Sequence, residues 1–106
     1  MEKPWLKSYP AGIPEEIDIH EFSSVAHIFD SSVAKFSDLP AYTNFGKTIS
    51  YQDVDIYTAQ LGAYLKTELG LEKGDRVAVM MPNLLQNPIA IFGILRAGLE
   101  IGRAHV

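Results

Sequence analysis

Between residues 71 and 98 the run LEKGDRVAVMMPNLLQNPIAIFGILRAG reads as a turn, a strand, a tight loop and a helix in one unbroken unit. Residues 76–81 are apolar and Val-containing, short enough for a strand and too continuous for one with a wet face. That pattern belongs to parallel sheets covered on both sides. Pro82-Asn83 breaks the run, and from there Leu84, Leu85, Ile89, Ile91, Phe92, Ile94 and Leu95 ring nearly the whole circumference of a helix, leaving little of it to face water.

Upstream the periods change. Ser23 or Ser24 suits the cap of a helix whose stripe, Val25, Ile28, Phe29, Val33 and Phe36, has the spacing of three and four that lies on a core. Asp38-Leu39-Pro40 ends it. Residues 41–45 and 48–51 flank Gly46-Lys47, the pattern of a short hairpin with a tight glycine turn. Ser50, with Asp53 three residues on, forms a variant capping box. The helix that follows presents Val54, Tyr57, Leu61, Tyr64 and Leu65 on one face and stops at Gly70, a residue suited to the left-handed C-terminal position. The order helix, hairpin, helix, strand, helix predicts an α/β domain. In residues 1–22, Pro4, Pro10, Pro14 and Gly12 forbid a continuous helix and predict an extended arm. Trp5, Leu6 and Tyr9 suit docking on a domain surface, with a membrane interface as the alternative.

Composition narrows the function classes. The 106 residues carry a formal charge of -4, with scattered Lys and Arg and no basic stripe, which argues against a nucleic-acid partner. The absence of cysteine removes disulfides, thiolate zinc sites and cysteine nucleophiles from this stretch and fits a reducing compartment. No segment reaches the roughly 18 to 20 apolar residues of a membrane span, and the start MEKPWLKSYP lacks the apolar centre of a signal peptide. A cytoplasmic protein is the default expectation.

Few residues invite a chemical role. Gly70 and Gly74 precede the strand and lack the Lys-Ser/Thr of a phosphate loop, so that reading is rejected. Gly93 and Gly98 suit close packing or a helix end. Asn83 follows the carboxyl end of a parallel-type strand, the edge where open α/β sheets place ligands, yet capping the next helix is the simpler role. Pro88 either sits in the first turn after an Asn87 cap or costs one hydrogen bond in a helix starting at Leu84. His27 has no partner at matched spacing and reads as solvated.

These residues also carry a resemblance. Lys73-Gly74-Asp75-Arg76-Val77, Met81-Pro82-Asn83 and residues 91–98 (IFGILRAG) resemble the first block of the adenylate-forming (AMP-binding) enzymes, the superfamily of acyl-CoA synthetases, luciferases and peptide-synthetase adenylation domains. The wording MMPNLLQNPIAIFGILRAG, with Trp5-Leu6, Tyr9-Pro10 and Pro14, is similar to that of the bacterial long-chain fatty-acid CoA ligases, and the resemblance covers residues 1–99. It implies a parent enzyme that activates a long-chain fatty acid with ATP and Mg2+ to an acyl-adenylate, releases pyrophosphate, and passes the acyl group to CoA. A related enzyme for another carboxylic acid and a stand-alone α/β interaction domain are the alternatives. Such chemistry needs a glycine- and Ser/Thr-rich phosphate loop, an acidic metal ligand and a mobile lysine-bearing domain. No Thr-Gly-Gly-Thr-type loop occurs here, so no catalytic, cofactor-binding or metal position is assigned. Peripheral contact with the inner membrane is a further expectation.

The division that follows is an arm over 1–22, an incomplete N-terminal part of the large domain over 23–99, and a non-native tail over 100–106. One codon choice for Ile-Gly-Arg-Ala-His-Val reproduces the start of a common sequencing adapter in a frame whose next codon is a stop. Residues 101–106, with or without Glu100, are therefore expected to be translated adapter, and Arg103 and His105 to lack function. The strand over 76–81 would then lack its return strand, leaving an open edge and poor solubility for the chain alone.

Overall fold

The computed structural model describes residues 2–103; His105 lies outside the described residues. The elements are a short 3-10 helix (Pro4–Ser8), α1 (Val25–Phe36), β1 (Pro40–Asn44), β2 (Lys47–Ser50), α2 (Tyr51–Thr67), β3 (Arg76–Val79), α3 (Gln86–Arg96) and β4 (Glu100–Arg103). The α/β order read from the sequence holds, with one strand added at its end.

The arm is not wholly extended. Pro4 fixes the first turn of a 3-10 helix, where its missing N–H costs nothing. Lys3 Nζ then reaches back to Glu15 at 3.0 Å and Glu16 at 3.6 Å. Trp5 and Tyr9 stay half-exposed, and Ile17 and Ile19 are 86% and 79% exposed.

Ser24 caps α1, its Oγ accepting from the His27 N–H at 3.0 Å. Of the expected stripe only Phe29 is fully buried; Val33 is partly so, while Val25, Ile28 and Phe36 stay exposed. The hairpin turn sits one residue earlier than the sequence suggests. Asn44 pairs with Lys47, so Phe45 and Gly46 are its two central residues, with φ of 49° and 77°. Positive φ at both positions defines the type I′ geometry that matches strand twist. The Ser50–Asp53 capping box is present in both directions, at 3.1 Å and 3.0 Å. Helix α2 ends at Thr67, Gly70 takes φ +66°, and the Leu71 N–H returns to the Leu65 carbonyl. Val54 and Leu65 are buried and Leu61 is partly so, but Tyr57 and Tyr64 are exposed, because the face that meets α3 is centred on Thr58 and Gly62 instead.

Helices α2 and α3 pack closely. A Cβ on Gly62 would lie 3.2 Å from the Gly93 carbonyl oxygen, and one on Gly93 would lie 2.8 Å from Leu61 Cδ2. Helix α3 begins at Gln86 after a Leu85 N-cap, which places Pro88 in the first turn but matches neither expected start, an Asn87 cap or Leu84. Only Gln86 and Arg96 of this helix are exposed, in keeping with its apolar circumference. Its end is a Schellman motif: Gly98, at φ +77°, donates to the Leu95 carbonyl, and Leu99 donates to that of Ile94.

The missing return strand is a correction. Gly74 N–H donates to the Gly98 carbonyl and Glu100 N–H to that of Asp75, which lays residues 100–103 parallel to β3 with Arg76 opposite Glu100 and Val77 opposite Ile101. Backbone groups make this pairing, so it needs no Val- or Ile-rich signature, and Ile101 packs on the core. Strand β3 ends at Val79 and is not covered on both sides. Val79 is buried against the helices, while Arg76 and Ala78 on the alternate face are exposed. Two apolar clusters result. Leu65, Val79, Ile94, Ala97 and Leu99 form one, and Phe29, Ile49 and Val54 form the other, with Ile89 and Phe92 packed on the second.

Candidate functional site

A concave feature that gathers Asn83, Asn87 and Pro88 lies where the loop after β3, the start of α3 and the hairpin meet. It is a groove of about 430 Å³, floored by Leu84, Leu85, Ile91 and Phe92 and rimmed by Tyr42, Asn44 and Asn83. Phe92 is held by stacking on Phe29, with ring centroids 4.6 Å apart and planes at 16°.

Asn83 is placed at the carboxyl edge of the parallel strand, as the sequence suggests, but it does not cap α3. The N-cap is Leu85, without a side-chain cap bond, and the Asn87 N–H instead donates to the Leu84 carbonyl in a tight backbone turn. Asn87 is likewise not the cap, since it lies within the helix. The two amides meet: Asn87 Nδ2 donates to Asn83 Oδ1 at 3.3 Å, and Asn44 Nδ2 donates to the Asn83 carbonyl at 3.4 Å. Asn87 is 5% exposed, and its Oδ1 has no hydrogen-bond partner among the described residues. Sequence reasoning weighed Asn87 only as a cap. Its burial beside an apolar helix face could be found only from the packing. Burial, and secondarily the neighbouring Tyr51 phenol, raise the Tyr42 hydroxyl above its ordinary pKa.

The other singled-out residues serve the frame. His27 is engaged at the N-terminus of α1, where its Nδ1 accepts from the Ser23 N–H at 3.1 Å and lies 3.2 Å from Ser23 Oγ; its ring meets Phe22 edge-on. Gly93 permits the α2–α3 approach and Gly98 ends α3. Arg96, quoted from the sequence only within the run 91–98 and given no role there, ties three helices together. Its Nη1 donates to the Asp55 carbonyl, Asp55 Oδ1 and Thr58 Oγ1 at 2.8–2.9 Å, its Nε lies 3.8 Å from Asp30, and its guanidinium sits over the Phe29 ring.

The groove presents amides and apolar side chains, with no cationic group to meet a phosphate and no acidic group to meet a cation. Among the described residues no three or more His, Cys, Asp or Glu side chains gather for a metal ion, and no helix is long and apolar enough to cross a membrane. The residues that line the groove therefore offer no charge to a nucleotide phosphate or to Mg2+.

A strand, a crossover helix and a parallel return strand, with two further helices and a hairpin packed beside them, define an α/β unit of the kind found in adenylate-forming enzymes. The chain belongs to the AMP-binding enzyme family, whose model matches residues 29–101. It is 50% identical to the Yersinia pestis long-chain-fatty-acid–CoA ligase over 101 residues, covering 95% of this chain and 18% of that protein. With the Bacillus subtilis protein of the same name it shares 40% identity over 97 residues, covering 92% of this chain and 17% of that one. Its fold superposes on the N-terminal subdomain of Klebsiella oxytoca NpsA with a TM-score of 0.72 at 25% identity, over 76% of this chain and 21% of that one. The chain thus spans about a fifth of the length of the curated relatives it matches.

Proposed function

We propose that this chain is part of the scaffold of an ATP-dependent long-chain fatty-acid CoA ligase. In that reaction the fatty-acid carboxylate displaces pyrophosphate from ATP to give an acyl-adenylate, and the CoA thiol then displaces AMP to give acyl-CoA. Mg2+ supplies charge neutralisation on the phosphates when bound. The observation that carries the reading is the identity of 40–50% with long-chain ligases of two different bacteria across more than nine-tenths of the chain. On this reading the residues of this chain hold no catalytic, cofactor or metal position. They position the strand edge and the helix start on which the rest of the site is built.

The finer reading places the protein in the cytoplasm with its arm able to touch a membrane surface. Half-exposed Trp5 and Tyr9 and exposed Ile17 and Ile19 support it. Glu2, Glu15, Glu16, Asp18 and Glu21 against Lys3 and Lys7 favour zwitterionic over anionic lipid. Co-sedimentation with phosphatidylcholine vesicles, lost on Trp5→Ser with Ile17→Ser, tests it; no sedimentation of the unaltered chain refutes it.

The function is tested with a hybrid in which this chain replaces the matching opening segment of the Yersinia pestis ligase. The hybrid is expected to catalyse palmitate-dependent ATP–pyrophosphate exchange and palmitoyl-CoA formation. A folded hybrid without either activity refutes the reading, and exchange catalysed by the 106-residue chain alone refutes its assignment as scaffold.

A further inference from the structure

We propose that the tip of the β1–β2 hairpin is a membrane-inserting finger: Phe45 enters the acyl boundary of a phosphatidylcholine surface, and the Lys47 ammonium meets the lipid phosphate. The proposal rests on the membrane-contact reading above and assigns that contact to a second, separate part of the chain.

Two independent observations lead to it. Phe45 is 92% exposed, more than any other large apolar side chain among the described residues. It also takes φ +49° as the first central residue of the turn, a left-handed conformation that asparagine and glycine adopt readily and a bulky aromatic adopts only with strain. A side chain so exposed returns no packing to the fold, so folding alone would favour asparagine before Gly46. A departure from local preference without a structural gain points to function. The finger is also stiff. Behind it Thr43 Oγ1 and Thr48 Oγ1 bond across the strands at 2.7 Å, Asn44 Nδ2 reaches the Asn83 carbonyl at 3.4 Å, and β2 runs straight into the capping box of α2.

The chemistry of the tip names the partner. Thr43, Asn44, Gly46 and Thr48 flank Phe45 with polar or small groups, so the tip is a single apolar projection and lacks the contiguous apolar centre on which protein interfaces are built. A lipid interface needs no matching shape and accepts one aromatic side chain with a long cation beside it. Lys47 is exposed, and residues 40–50 hold no Asp or Glu to repel a phosphate. A lone anchor binds only marginally, so the tip and the arm act together. The rival feature, a groove of about 230 Å³ between α2 and α3 with Lys66 and Arg96 at its edge, is weaker, because Arg96 Nη1 is already spent on Asp55 and Thr58.

The 106-residue chain and phosphatidylcholine vesicles test the proposal. Phe45→Asn should raise the urea midpoint, because strain is relieved and no contact is lost, and should lower vesicle partitioning roughly tenfold. Lys47→Glu should lower partitioning and leave the midpoint nearly unchanged. In a chain carrying Trp5→Phe and Phe45→Trp, the one indole, at position 45, should shift to the blue on adding vesicles and be quenched by phosphatidylcholine brominated on its acyl chains. The hybrid ligase with the same two substitutions should show the same quenching. Sedimentation of the unaltered chain together with an unquenched indole at position 45, or with unchanged partitioning of Phe45→Asn, overturns this proposal and leaves the membrane contact of the arm standing. An unaltered chain that does not sediment overturns both. A lowered urea midpoint in Phe45→Asn also overturns the proposal, since phenylalanine would then serve the fold. So does an indole already shielded without vesicles, by a second copy as protein concentration rises or by the rest of the ligase in the hybrid.

Discussion

Gly93→Ala tests the helix crossing on which both apolar clusters depend. The added methyl would lie 2.8 Å from Leu61 Cδ2 and 3.2 Å from Leu61 Cβ and Cγ, so the whole leucine must retreat from the seam. Overpacking of this kind costs about 1–3 kcal/mol. Replacing a mid-helix glycine by alanine returns about 1 kcal/mol of helix propensity. The net expectation is a loss of about 1 kcal/mol, read as a lower urea midpoint by circular dichroism at low micromolar concentration, where self-association is suppressed. The sign should reverse in a Leu61→Ala background. With the leucine branch gone, the propensity term dominates, and Gly93→Ala should stabilise by up to about 1 kcal/mol. Gly102→Ala, whose Cβ would meet nothing within 4 Å, is the control and should leave the midpoint nearly unchanged. Equal effects of Gly93→Ala in the two backgrounds would refute the argument that Leu61 sets the approach of α2 and α3.

Arg96→Met keeps the apolar stem but loses the bonds to Asp55 and Thr58, and should lower stability by about 1–2 kcal/mol in urea unfolding; Arg96→Lys, which lacks the planar fork, should recover less than half. Ser50→Ala removes one arm of the capping box and should cost about 1 kcal/mol, with the loss of protection in hydrogen exchange concentrated in the first turn of α2. Gly98→Ala forces a side chain to φ +77° beside Lys73 and should cost about 1–2 kcal/mol by the same urea assay. The raised pKa of Tyr42 means that the folded state holds its proton more tightly than the unfolded state. Stability is therefore unaffected below about pH 10 and falls as pH rises above it, a fall that Tyr42→Phe should reduce in alkaline unfolding monitored by circular dichroism.

What the sequence made legible was local chemistry. Ser50 and Asp53 mark their helix start because the capping box is closed within four residues, and Gly98 marks a helix end because a left-handed φ there needs no tertiary partner. The order of elements followed from such signals. Where tertiary packing or backbone pairing decided the outcome, the pattern misled. Phe45 is a poor candidate for positive φ, so Gly46-Lys47 drew the expected turn one residue too far along. Tyr57 and Tyr64 share a period with Leu61 but lie off the narrow seam that Gly62 and Gly93 permit. Strand β4 was set aside because residues 101–106 read as translated adapter, whereas its pairing is made by main-chain groups that any such residues supply. In the candidate site, the strand-edge position of Asn83 was readable from order alone. The burial of Asn87 was not, since it depends on the loop turning through Leu84 without a side-chain cap.

Because α3 contributes to both apolar clusters, Ile94 to one and Ile89 and Phe92 to the other, it also sets the order of events during synthesis. When Ser50 has been added, α1 and the hairpin exist as sequence but have no finished core to join. At roughly 5–20 residues per second, the chain up to Ala97 follows about 2–10 s later. Throughout that interval Phe29 and Ile49 lack the α3 side chains that complete their cluster. The apolar circumference of one late helix thus leaves the early half of this unit without a finished core until synthesis has passed residue 92.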